Sequence, residues 1–320
     1  MPFQPRAGVD TGPIHLVEAG LIDQLRELGW DVAFDGHHQF ESLSGIHDPP
    51  IGNLKNPRLV SRVCQSVADV VTRHCENGQL PVVLGGDHSL AMGTISGSLA
   101  KYPEAVVIWV DAHADINTIA STDSGNLHGM PVSFLLGING PPASGSVNAQ
   151  GYDEAMNQYS WIKPKLTADR LVYIGLRDID AGEKQILRQH GIKAFSMHEG
   201  TSLFSRWSSS NWFVVDKYGI GRVVEMAIDH VNPKRDKPIH LSFDVDALDP
   251  SVAPSTGTPV RGGLSFREGH YICEAIHETG CLVALDLMEV NPSLLDAIAV
   301  SQTVAVGCSL VRCALGETLL

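Results

Sequence analysis

The order of apolar runs along the chain predicts an α/β fold, with a parallel sheet covered by helices on both faces. Two observations predict it. Short apolar runs alternate with longer segments whose apolar residues recur at helical spacing, the pattern of βαβ units. The short runs are also nearly continuous in apolar residues, as strands buried on both faces are. With 43% hydrophobic and 18% charged residues over 320 positions, the chain holds enough apolar material for a substantial core. We take residues 1–320 as a single domain.

In chain order, residues 12–28 and 57–75 carry helical apolar spacing. Residues 81–85 (Pro-Val-Val-Leu-Gly) read as a short buried strand, followed by a helix over 89–99. Strands are predicted at 105–110, 171–175, 239–243 and 281–287, and helices at 266–277 and 292–315. Residues 137–158, rich in Gly, Pro, Ser and Asn, read as a surface loop. Residues 200–215, with Ser208, Ser209 and Ser210 between Trp207 and Trp212, continue neither neighbouring pattern and read as an insertion.

The formal net charge of −13 is the wrong sign for a phosphate-binding surface, so nucleic acid is not an expected partner. None of the six cysteines forms a C-x-x-C pair, and they lie mostly in apolar segments, where a free thiol packs as a small hydrophobe. No apolar run of a secretory signal follows Arg6. A reduced, cytoplasmic protein is expected. The apolar stretch 294–320 is interrupted by Asp296, Gln302, Arg312 and Glu317, which favours a packed helix over a membrane span.

Ligands of open α/β sheets bind outside the carboxyl ends of the strands, and here those ends carry acids and histidines. The first strand leads into Gly85-Gly86-Asp87-His88-Ser89. The second leads into Asp111-Ala112-His113-Ala114-Asp115, another into Asp244-Val245-Asp246, and the last into Glu289. Residues two apart on an extended chain point the same way. By that rule Asp111, His113 and Asp115 converge, as do Asp244 and Asp246, and His88 joins them from a third strand end. Four clustered carboxylates repel and raise one another's pKa unless cations compensate them. An O and N donor set without thiolate disfavours a structural zinc site and suits a harder ion such as Mn²⁺. One Asp after a strand is usually a helix cap; the whole set in this spacing is not explained that way.

These three motifs, the last running from Ser242 through Asp244, Asp246 and Asp249 to Pro250, resemble the signatures of the ureohydrolase family. The resemblance covers the chain from about Arg6 onwards and is nearest to the arginase branch, whose members cleave L-arginine to L-ornithine and urea. It implies a three-layer α/β/α sandwich around a mostly parallel, nominally eight-stranded sheet. It also implies two Mn²⁺ per subunit with a hydroxide between them. His88, Asp111, Asp115 and Asp244 would hold one ion, and His113, Asp111, Asp244 and Asp246 the other, with Asp111 and Asp244 bridging. Asp115 would also orient the hydroxide and pass its proton on. His128 would shuttle protons with solvent. By the same resemblance Asn117, Ser124 and Asn126 match binders of an α-carboxylate, Asp180 matches the α-amino binder, and Thr258 and Glu289 match residues near the guanidinium. A small-molecule substrate, no membrane, and a trimeric or hexameric homo-oligomer follow as expectations. Singly, Asn117, Ser124 and Asn126 are ordinary loop formers, Asp180 an ordinary cap and Thr258 an ordinary turn residue.

Two features depart from the family pattern. The chain starts almost inside the loop that follows the family's first, interior strand, so that strand is expected to be missing, at the cost of unpaired backbone groups. Residues 200–215 fall where the family passes directly from Glu199 to a stretch like Asp216-Lys217-Tyr218-Gly219. Three functions stay open at this level: an arginase, another ureohydrolase such as an agmatinase or guanidino-acid hydrolase, and a shortened chain that binds metal without turnover.

Overall fold

The computed structural model describes residues 6–37, 47–143, 150–163, 166–198 and 212–318. The strands among them are β1 (Val82–Leu84), β2 (Val106–Val110), β3 (Leu171–Leu176), β4 (Lys193–Ser196), β5 (Trp212–Val214), β6 (Ile239–Asp244) and β7 (Leu282–Met288). They form one sheet in the order β1-β7-β6-β2-β3-β4-β5, and every pairing is parallel. The helices are α1 (Gly12–Glu18), α2 (Leu21–Glu27), α3 (Pro57–Glu76), α4 (Ala91–Lys101), α5 (Pro131–Leu136), α6 (Tyr152–Gln158), α7 (Ala181–Gln189), α8 (Val215–Val231), α9 (Phe266–Glu278) and α10 (Ala297–Ala314).

Side chains alternate across the strands and so build two cores. Val106, Ile108, Val110, Leu241, Phe243, Leu285 and Leu287 face a layer made by α1, α2, α8, α9 and α10. Val107, Trp109, Tyr173 and Ala194 face the layer made by α3 to α7. This is the expected three-layer sandwich. In the second layer α3 and α4 pack closely, because a Cβ on Gly93 would lie 2.3 Å from the Cys64 carbonyl oxygen. Helix α10 is long and apolar enough to cross a membrane by composition, yet its Val304, Leu310 and Val311 are buried in the first core. All six cysteines are free, and five are buried.

Several boundaries differ from the sequence reading. The predicted helix 12–28 is two helices, broken where Gly20 turns left-handed at φ 88°. Helix α10 begins at Ala297 rather than residue 292, because Asp296 accepts hydrogen bonds from the amides of Ile298 and Ala299 and caps it there. The predicted loop 137–158 contains α6, although residues 144–149 lie outside the described ones. Most of the 200–215 insertion also lies outside them, but residues 212–214 pair with β4 as the edge strand β5. Strand β4 and helices α5 and α8 are absent from the sequence reading, and α7 enters it only as the helix that Asp180 would cap. Among the described residues no strand precedes β1, which therefore stands at the other edge of a seven-stranded sheet.

Candidate metal centre

Five adjacent strands, β1, β7, β6, β2 and β3, direct their carboxyl ends at one place. After β1, Asp87 accepts from the Ser89 amide and caps a 3-10 turn over His88–Leu90, which sets His88 at the floor of the site. Asp111 directly follows β2, and Asp244 ends β6. The structure brings all six expected ligands together. His88 Nδ1 lies 3.1 Å from Asp111 Oδ2, 3.1 Å from Asp244 Oδ2 and 3.5 Å from Asp115 Oδ2. His113 Nδ1 lies 3.1 Å from Asp246 Oδ2 and 3.4 Å from Asp111 Oδ1. Two sets of donor atoms result, His88–Asp111–Asp244 and Asp111–His113–Asp246, each within 4.8 Å, and they share Asp111.

The convergence is not that of side chains alternating along an extended strand, as expected from the sequence. Strand β2 stops at Val110, and Asp115 sits at φ 48° in the left-handed region. Residues 111–115 are therefore a turn, and simple alternation does not carry Asp115 to the site. Asp246 likewise lies in a 3-10 turn over Val245–Ala247 that starts when Asp244 Oδ1 accepts from its amide. A bulge in β3 at Gly175, φ 102°, makes room beside this loop, where a Cβ would lie 3.0 Å from the Asp111 carbonyl oxygen.

The electrostatics suit cations. Burial, then repulsion from Asp111, holds Asp115 well above the usual carboxylate range; burial, then Asp246 and Asp111, does the same to Asp244. Burial also opposes ionisation of Asp111, but hydrogen bonds from His113 and His88 outweigh it and lower its pKa. Burial disfavours a charged His88, yet the Asp111 hydrogen bond and surrounding carboxylates raise it to about 9, and His113 is raised further by Asp246 and Asp111. The cluster thus favours extra protons, on its two imidazoles and on Asp115 and Asp244, over four bare carboxylates. Divalent cations would replace those protons and take the freed Nδ1 lone pairs as ligands. The residues present therefore fit a pair of ions with O and N donors.

A cavity of ≈ 230 Å³ opens above this cluster. Asn117, His128, Asp180, Thr258 and Glu289 line it, with the four ligands His113, Asp115, Asp244 and Asp246; His88 and Asp111 lie beneath. Asn126 lines an adjoining cavity of ≈ 370 Å³, with its Oδ1 accepting from Lys55 Nζ at 3.0 Å. Ser124 is exposed, lines neither cavity, and accepts from the Asn126 amide at 3.2 Å. Thr258 donates to Asp246 Oδ2 at 2.9 Å and so steadies an expected ligand. Glu289 follows β7 at φ 68°, accepts from the His88 amide at 2.9 Å, and is raised to about 8 by burial and then by Asp87. Burial, first, lowers the pKa of His128.

Sequence reasoning missed several residues that hold the site. The Trp109 ring stacks on His88 at 4.1 Å and 13°, and its Nε1 donates to Asp111 Oδ2 at 2.9 Å. The Arg177 guanidinium donates to the carbonyls of Asp246 and Ala247 at 2.6 and 3.0 Å and fixes the turn that carries Asp246. Asp178 and Glu183 also line the inner cavity. A signal existed for Trp109, which stands on β2 two residues before the expected ligand Asp111.

The model of the arginase family matches residues 2–316. An arginase of Glaciozyma antarctica (strain PI12) is 61% identical over 319 residues, covering 99% of this chain and 85% of that protein. Among solved structures, an arginase from Bacillus caldovelox is similar with a TM-score of 0.85 at 35% identity, covering 100% of this chain and 97% of that one. An Entamoeba histolytica arginase in complex with L-ornithine is similar with a TM-score of 0.77 at 26% identity, covering 99% and 95%.

Proposed function

The chain belongs to the arginase family, and we propose that it hydrolyses the guanidino C–N bond of L-arginine to give L-ornithine and urea. The observation that carries this reading is the pair of His and Asp donor sets sharing Asp111, set under a cavity whose wall holds Asn117, Asp180 and Glu289. We propose Mn²⁺ as the ion, two per chain. The all-O,N donor set supports a harder divalent ion over a structural zinc. Divalent ions held there would supply a water ionised at neutral pH as nucleophile.

The chain's own residues do the rest. Glu289 holds the guanidinium above the ligands, and the arriving cation would favour the ionised carboxylate that burial alone opposes. Asp115 reaches both the ligand cluster and the cavity, so it can hold the attacking water's proton and hand it to the departing amine. His128, half-buried at the junction of the two cavities, exchanges protons with solvent. Asn117, Asn126 and Asp180 take the amino-acid head, which makes arginine a better substrate than its decarboxylated analogue agmatine. A homo-oligomer and a cytoplasmic location complete the proposal.

The test is urea release by the purified, Mn²⁺-loaded chain from L-arginine, agmatine and a guanidino acid, with bound metal counted on the same sample. Arginine turnover with two ions bound supports the reading. Preference for agmatine or a guanidino acid assigns another ureohydrolase activity, and two bound ions with no turnover on any of the three leave a metal-binding chain.

A further inference from the structure

Beneath His88 runs a chain of buried polar side chains that the reading above does not use. Trp109, Ser242 and Asp286 stand side by side on the neighbouring strands β2, β6 and β7. His240 lies two residues before Ser242 on the same face, and Thr94 and Ser98 of α4 cover them. His88 Nε2 is 2.9 Å from Ser242 Oγ. Ser242 Oγ and Thr94 Oγ1 donate to Asp286 Oδ2 at 3.3 and 2.6 Å. His240 Nε2 meets the same oxygen at 2.9 Å, and its Nδ1 lies 2.7 Å from Ser98 Oγ. Asp286, Ser242, His240, Thr94 and Ser98 are all completely buried. Asp286 Oδ1 has no hydrogen-bond partner among the described residues.

The directions of these bonds follow from one fact: a carboxylate only accepts. Ser242 has one proton and gives it to Asp286. Its oxygen is then left to accept from His88, which places a proton on Nε2 of that ring. The other nitrogen, Nδ1, faces Asp111 and Asp244, and it is the proton on that side that a cation would displace to take the lone pair. His240 meets Asp286 by the same logic, with Nε2 donating. Trp109 stacked on the His88 ring sets its plane, and the Ser242 link holds a proton on Nε2, the nitrogen away from the ligand cluster.

We propose that Asp286, acting through Ser242, is a positioning residue that fixes His88 with Nδ1 toward the ligand cluster, and so sets the affinity of the cation on the His88 side. This rests on the two-cation reading of the site. Metal-bound histidines generally need such a partner on their second nitrogen; here the carboxylate sits one hydroxyl away and in the middle of the sheet. Asp286→Asn keeps the shape but adds N–H donors, one of which would turn toward Ser242, reverse its hydroxyl and push the His88 proton onto Nδ1. Ser242→Ala breaks the link without adding a donor.

The experiment strips metal from the full-length wild type and both variants, titrates each with Mn²⁺ by calorimetry, and records thermal melts of the metal-free proteins. The wild type is expected to bind two ions. In each variant one ion is expected to bind about 10–100-fold more weakly while the other is unchanged. A purely structural role would instead lower the melting temperature and weaken both ions alike. That result, or two ions bound with wild-type affinity in the variants, overturns the relay alone. Fewer than two ions on the wild type overturns the two-cation reading and the relay with it. Should Asp286→Asn fail to melt cooperatively, Ser242→Ala decides between these outcomes.

Discussion

Asn117 Nδ2 donates to Asp180 Oδ2 at 2.6 Å, while Asp180 Oδ1 accepts from the Glu183 amide and caps α7. One carboxylate thus joins the loop after β2 to the helix after β3, across the mouth of the inner cavity. It serves two purposes that substitution can separate. Asp180→Asn keeps a capping oxygen and removes the charge, so the melting temperature should hold while KM for L-arginine rises by roughly 10–100-fold, the worth of one charged hydrogen bond. Asp180→Ala should show the same KM and also lose about 1 kcal/mol of stability with the cap. An unchanged KM in both variants would remove Asp180 from substrate binding.

Asp244→Ala should lose metal and turnover together. Its effect on Mn²⁺ affinity should exceed the roughly 10–100-fold typical of a partner one bond further from the ion. Bound metal is counted by elemental analysis beside urea release. Full activity with two ions would sink the ligand assignment. Because Asp115 and Asp244 are both buried near other acids, chelating the metal from the wild type should also lower its melting temperature.

His128→Asn should reduce kcat by about 10²–10⁴-fold, the usual contribution of a positioned proton carrier. Both ions should remain bound and KM should change little. Burial lowers the His128 pKa, so at neutral pH the ring is uncharged and ready to accept a proton. A small added imidazole that restored turnover would identify the lost function as proton transfer.

Glu183 predicts a pH dependence of stability. Burial, and then the nearby Asp180 charge, raise it from 4.5 to about 7. The folded protein keeps a proton that the unfolded chain releases, so this contribution is fully present below about pH 4.5 and is lost as pH rises to about 7. The loss amounts to about 3 kcal/mol at most. Metal-free wild type should lose stability across that window in denaturant titrations, and Glu183→Gln should flatten the slope. Equal slopes in the two proteins would refute the assignment.

The parts of the fold that were legible in the sequence are those whose signal is local. Strands β2, β6 and β7 are continuous apolar runs, and the acids at their ends stand out against them. Strand β4 is only four residues, Lys-Ala-Phe-Ser, at the outer part of the sheet, and its pairing with β3 supplies what its composition lacks. Helix α7 is charged and short; its start is written in the Asp180–Glu183 capping box, of which the sequence reading offers only the cap Asp180 and no bounds for the helix. Helix α8 is interrupted at Gly219, φ 72°, which hides its periodicity. In the site, the ligands were legible because strand ends repeat one motif logic. Arg177 and Asp286 were not, since Arg177 acts on Asp246 and Ala247, 69 and 70 positions away, and Asp286 on Ser242, 44 positions away, and they resemble an ordinary loop cation and a misplaced strand acid until the fold brings their partners near.

Asp115 and Glu289 are two of only four non-glycine residues in the left-handed backbone region among the described residues. A backbone held there costs on the order of 1–3 kcal/mol, and glycine would relieve it. A stability screen blind to turnover would therefore reward glycine at the two positions where the reaction needs a carboxylate. Improving this protein as a fold and keeping it as a catalyst are opposed aims at these two residues, and any thermostabilised version must find its gains elsewhere.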